Sequence, residues 1–318
     1  MIDLLVVVTL LLAAATAVPV AVLPLVSRVR PWTAVPLLAA GSLISAASAG
    51  VVLGLLALAV LGRIPFVADL GGWSGDTLEV AVPVPPPVGV AAAGIAVVLI
   101  TRTLWRAGSI LLLLARSEQL GRRLRAGGGP IVILDDDAAD AFTLAGLRGC
   151  VVISRGLLQA LGPAERRMLI GHELSHLRRR HHLYVHAVDL AVAANPLLYG
   201  AADAVRLGVE RWADEDAAQP TGDRGAAGAA LAMTALIRTS LRRGTVRDAG
   251  PVVPVLGAVT SHVTHRARAL LDPAPRGTTT TIAMITLLVA TIAATSACAV
   301  QVHAGFEHAE MAWLFLAG

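Results

Sequence analysis

The stretch Met168-Leu169-Ile170-Gly171-His172-Glu173-Leu174-Ser175-His176-Leu177 sets two histidines four residues apart, with a glutamate directly after the first. On a helix, positions i and i+4 share a face one turn apart, so both imidazoles can reach one metal ion. Glu173 is turned about 100° around the axis from His172, beside such a metal rather than on it. From there its carboxylate can take a proton from a water that the metal polarises, as in H-E-x-x-H hydrolysis. A helix is expected because Pro163 suits a first helical position and Glu165 lies in the first turn, where an acid meets the positive end of the helix dipole. Met168, Leu169, Ile170, Leu174 and Leu177 give that helix apolar side chains to bury. The motif alone would arise by chance on the order of once in a hundred such chains. The rest of the sequence has to supply its context.

A catalytic zinc site takes three protein ligands and keeps one position open. His182 has the separation used in H-E-x-x-H-x-x-G-x-x-H sites, but Arg179 stands where the glycine would be. The run Leu177-Arg178-Arg179-Arg180 favours continued helix, which would carry His182 about 15 Å along the axis from His172. His181 and His182 are therefore expected at an interface with the neighbouring arginines. The better third ligand is Glu210, in Gly208-Val209-Glu210-Arg211-Trp212-Ala213-Asp214, since the 34 residues separating it from His176 allow one helical hairpin. Asp214 follows at i+4, placed to accept the second ring N–H of a ligand histidine. Asp189 and Asp203 compete for the ligand role without such a partner, and Glu215 and Asp216 read as solvated acids. The two cysteines, Cys150 and Cys298, have no metal-binding spacing, so His and carboxylate must hold any metal.

Apolar residues make up 56% of the 318-residue chain and charged residues 15%. A soluble domain has about 45–50% and about 25%, so membrane spans are expected. Four stretches fit: 4–26, 35–61, 89–114 and 282–300, each near the roughly 20 residues that cross a bilayer. Residues 1–114 form a membrane domain with three spans, 115–276 a compact domain, and 277–318 the fourth span with a short tail. All 26 basic residues are arginine. Apart from Arg28, Arg30 and Arg63 they lie between Arg102 and Arg276, which puts that centre in the cytoplasm and both termini outside. No aromatic-basic pattern accompanies the arginines, so nucleic acid is not an expected partner.

Within the centre, Ile131–Leu134 and Cys150–Ile153 read as strands, and Arg155–Leu161 as a short helix stopped at Gly162. Strands first and helices after give a mainly helical α+β domain. Cys150–Ile153 would offer an exposed edge for an extended peptide. The segment 183–198 reads as a buried helix or a membrane-dipping hairpin, and 217–228, rich in Gly and Ala, as a mobile loop.

His172-Glu173-Leu174-Ser175-His176 followed by Glu210-x-x-x-Asp214 resembles the membrane-embedded gluzincin peptidases of families M48 and M56. The M56 side, the protease half of BlaR/MecR antibiotic-sensing receptors, is the closer likeness. Val151-Val152-Ile153-Ser154-Arg155-Gly156-Leu157-Leu158 and Asn195-Pro196-Leu197-Leu198 support it. The resemblance implies about four transmembrane helices with a zincin-like cytoplasmic domain. It further implies Zn2+ on His172, His176 and Glu210, Glu173 as general base and Asp214 supporting a ligand. The partners it implies are the lipid bilayer and a protein or peptide substrate, such as a repressor-type or membrane-protein target. M48 relatives also carry a downstream His and Arg that stabilise the oxyanion; His262 and Arg268 have a similar spacing without the usual prolines. The tail 301–318 is too short for the penicillin-binding domain of the sensors, so direct antibiotic sensing is not expected. Two rivals remain, a signalling or scaffold protein with a non-catalytic zinc site and a transporter. The absence of charged residues and histidines from three of the four spans argues against the transporter.

Overall fold

The computed structural model describes residues 29–125, 129–137, 140–246, 266–272 and 277–317. The expected span 4–26 lies outside them, as does His262. Among the described residues three helices are long and apolar enough to cross a membrane. The first, α1 (Pro31–Leu61), contains no charged residue and begins with proline at a position that needs no N–H. Its buried face is mostly small, including Ala34, Ala39, Ser42, Ala46 and Ala49. Small side chains let neighbouring helices approach closely, and α1 sits at the centre of the bundle.

Two short helices, α2 (Pro65–Gly71) and α3 (Gly75–Ala81), connect α1 to α4 (Pro86–Leu124). The expected boundary at residue 114 is not a break. The helix contains the third span and also the basic segment after it, because no proline interrupts the sequence before Pro130. The last helix, α10 (Thr278–Ala317), likewise continues past the expected fourth span. Its far end packs rather than trailing off: the Ser74 N–H donates to the Ala309 carbonyl at 3.0 Å, and Trp73 meets Phe306 edge-on at 5.1 Å.

The central region opens with a three-stranded sheet of β1 (Ile131–Leu134), β2 (Ala141–Leu144) and β3 (Cys150–Ser154), in the order β1-β3-β2. β3 runs parallel to β1 and antiparallel to β2, and all five of its residues are buried. The expectation that Cys150–Ile153 forms an exposed edge is therefore corrected. A strand apolar on both faces belongs in the middle of a sheet, and the free edges belong to β1 and β2.

Ser154 caps the short α5 (Arg155–Ala160), and Pro163 starts α6 (Pro163–Arg178), the helix of the two histidines. The helix expected to continue through Arg180 does not. The Arg179 and Arg180 N–H groups bond back to Ser175 and Leu177, and Arg180 then adopts the left-handed conformation, φ 52°. For a residue with a Cβ that costs about 1–2 kcal/mol, and it turns the chain sharply into α7 (His181–Ala194). A 3-10 turn at Pro196–Leu198 joins α7 to α8 (Tyr199–Ala218) as a helical hairpin packed along α1. The expected mobile loop 217–228 is instead mostly helix, since α9 (Arg224–Val246) begins within it. Ala217, Ala218 and Ala227 are buried with Met168 and Leu270.

Candidate metal centre

α6 and α8 lie so close at Gly171 that a Cβ there would stand 3.2 Å from the backbone and Cβ of Ala217. This approach brings the two expected ligand sets together. His172 Nε2 and His176 Nε2 are 3.1 Å apart, and each is 3.5 Å from a different oxygen of Glu210. The three residues offer ligand atoms within 4.8 Å of one another. Two imidazoles and a carboxylate suit Zn2+, and the group faces a cavity of about 490 Å³, which leaves an approach for water and substrate. The donor set fits the metal.

Each histidine has an outer partner on its other nitrogen. His172 Nδ1 stands 2.9 Å from Asp214 Oδ1, and His176 Nδ1 stands 3.1 Å from His181 Nδ1. His181 is only 1% exposed and packs against Trp212 with ring centroids 4.9 Å apart. It is not the interface residue the arginine run suggested; the left-handed turn at Arg180 swings it inward. His182, whose ligand role the sequence argued against, lines the cavity with His186 outside the three-residue cluster.

The electrostatics favour a cation here. Burial disfavours a charged His172, but the hydrogen bonds and charges of Asp214 and Glu210 outweigh it and hold its pKa up at about 9. Burial would raise the Glu210 carboxyl, yet the histidines and Arg266 keep it well below the usual range, and Asp214 is lowered likewise by Arg266 and His172. His181 goes the other way: burial and the adjacent His176 push it down to about 3, so its ring is neutral. A neutral His181 can accept the Nδ1–H of His176.

Arg266 forks onto Asp214 with two bonds of 2.7 Å and reaches Glu210 Oε2 at 2.8 Å. Nothing in the sequence singled it out. Arg268, which was singled out, is exposed and does not line the cavity. Removing one partner of a buried ion pair such as Arg266–Asp214 costs about 3–5 kcal/mol. Glu173 is buried beside the cluster, and the Thr143 hydroxyl from β2 lies 2.8 Å from Glu173 Oε2. Ala141, Phe142 and Thr143 of the edge strand β2 form one wall of the cavity, and Leu231, Thr234 and Ala235 of α9 face into it as well. Asp189 and Asp203 take no part: Asp189 is held between Arg106 and Arg206, and Asp203 pairs with Arg206 at 3.4 Å.

Residues 113–246 match the model of peptidase family M48. That segment begins near the end of α4, closes with α9, and holds the three clustered residues, Glu173 and Asp214. The closer likeness to the M56 side has no counterpart in this match. No curated protein and no solved structure matches the chain.

Proposed function

We propose that the chain is an integral-membrane zinc endopeptidase. The observation that carries this is the convergence of His172, His176 and Glu210 on one point, with the Glu173 carboxylate beside it and a cavity in front. Zinc, when bound, would supply the lowered water pKa and the polarised carbonyl that peptide hydrolysis needs. Glu173 acts as general base, taking the proton of the attacking water and later returning it to the leaving amine. Thr143 holds that carboxylate in place. Asp214 and His181 orient the two ligand rings, and Arg266 fixes Asp214 and Glu210. An extended substrate adds as a strand to the free edge of β2, a mode that draws on main-chain hydrogen bonds and tolerates varied side chains. His262 could serve the oxyanion from outside the described residues.

Location favours a membrane-protein target over a soluble repressor. Glu210 follows Arg206 by one turn of α8, and Arg206 joins α8 to the membrane helix α4 through Asp189. The cavity therefore stands close to the end of the apolar helices, within reach of a peptide bond near the bilayer surface. Regulated proteolysis in or beside the membrane is the role this suggests.

The test uses purified full-length protein. The wild type should bind about one zinc per chain and cleave casein or a peptide library in a chelator-sensitive way. His172→Ala and Glu210→Ala should lose the metal. Glu173→Gln should keep it while hydrolysis falls about 10²–10⁴-fold. A variant that keeps full hydrolysis without Glu173 removes the mechanism; zinc bound by a wild type that cuts nothing favours the scaffold reading.

A further inference from the structure

Asp189 lies outside the metal cluster and holds two arginines at once. It is buried on α7, and Arg106 of α4 pairs with one carboxylate oxygen while Arg206 of α8 pairs with the other. One carboxylate cannot neutralise two guanidiniums. Arg106 and Arg206 are 41% and 44% exposed, so each keeps donors free beyond the pair. Asp203 beside Arg206 is largely solvated and screens weakly. Arg102, one turn before Arg106, is exposed and has no side-chain partner among the described residues. The three arginines and Asp189 line a cleft of about 230 Å³ together with Trp105 and Tyr199, which are 76% and 65% exposed.

The depth of this cleft is the second observation. α4 packs against the end of α1, where Gly89 approaches Val60 and Leu56. At 1.5 Å per residue, Arg102 and Arg106 stand about 20 Å and about 26 Å further along α4. Exposed Val90, Ile95, Val97, Val98 and Ile100 lie in the first of those intervals. A hydrocarbon core of about 30 Å that starts near the head of α4 therefore ends at the arginines. Exposed Trp and Tyr at that depth are the residues that sit among headgroups. A soluble anion site would need neither the apolar approach nor the two exposed aromatics.

We propose that this cleft binds the phosphate of an anionic phospholipid, with Arg102, Arg106 and Arg206 donating to its oxygens and Trp105 and Tyr199 flanking the glycerol. The site requires that the apolar helices cross a bilayer but is independent of peptide hydrolysis. Full-length protein in neutral detergent, titrated with phosphatidylglycerol and separately with phosphatidylcholine, would be read by native mass spectrometry. One phosphatidylglycerol should be retained, about tenfold in preference to phosphatidylcholine. Arg102→Gln should reduce that retention about five- to tenfold, the order that one arginine contributes at an anionic surface. Since Arg102 is exposed and has no hydrogen bond or ion pair among the described residues, this variant reports lipid contact rather than the loss of an internal pair. Arg206→Gln, with its unfolding midpoint checked, should reduce retention as well, because Asp189 keeps Arg106. Inorganic phosphate at millimolar concentration should not displace the lipid. Equal retention of the two lipids, unchanged retention in Arg102→Gln, or full displacement by phosphate would each overturn the proposal. None of these outcomes bears on zinc content or cleavage.

Discussion

His172 and His176 present one ring nitrogen each to the point they share with Glu210, and their outer nitrogens meet different chemistry. His172 faces an ionised Asp214 that Arg266 also holds; His176 faces a neutral His181. A carboxylate acceptor raises a ligand's basicity more than an imidazole does, so the two supports should not be equal. Asp214→Asn should weaken zinc binding by about 10–100-fold and His181→Leu by about tenfold, measured by competition with a chromophoric chelator. If His181→Leu binds zinc as the wild type does, its contact with His176 is packing only. The four residues at i, i+4 spacing, His172 with His176 and Glu210 with Asp214, were legible in the sequence because helical periodicity fixes which side chains share a face. Arg266 was not. It and Arg268 are both arginines in a basic segment, and two residues apart on a helix they point about 200° from each other. Only the tertiary structure tells which one turns inward. His181 was hidden for a different reason: an arginine at a left-handed position gives none of the glycine or asparagine signal that announces a helix end.

At the scale of elements, the site depends on the approach of α6 to α8 rather than on either helix alone. Gly171 sets that approach, with Ala217 opposite at a distance a Cβ could barely share. Gly171→Val would put two methyl groups against the α8 backbone and force the helices apart. The cost expected for such overpacking is about 1–3 kcal/mol. Because Gly171 adjoins His172, the shift should also separate the histidines from Glu210. Thermal unfolding and zinc titration should therefore fall together in this variant, while Gly171→Ala, needing only a few tenths of an ångström, should fall less. Loss of stability with intact zinc binding would mean that the helices separate elsewhere. The sheet shows the limit of local patterns: Cys150–Ile153 was correctly legible as a strand, but its place between two others depends on pairings 6 to 20 residues away. Burial of all five β3 residues, each apolar one contributing about 1.5–3 kcal/mol for a large side chain, decides the order. The edge presented to the cavity is consequently β2, whose apolar run is shorter.

For the whole molecule, the question is how the bundle lies across the bilayer. The connection between α1 and α4 and the far end of α10 are on one side, joined by the Ser74–Ala309 hydrogen bond and the Trp73–Phe306 contact. The start of α1 packs with α8 on the other, where Val35 meets Gly208 near the metal cluster. Arginines are dense on the second side and, on the first, Arg63 is paired with Glu79. By the excess of positive charge in cytoplasmic segments, the cluster should face the cytoplasm and α2 the exterior. The two native cysteines are buried, so an introduced thiol can report the orientation with little background. Asp69→Cys, exposed on α2, should react with a membrane-impermeant maleimide added to intact cells. Asp135→Cys, exposed beyond β1, should react only after the membrane is permeabilised. The reverse pattern would place the cluster outside and make the substrates extracytoplasmic. Labelling of both residues in intact cells would mean that the three apolar helices do not separate them, and the lipid-level placement of Arg102 and Arg106 would fall with the topology.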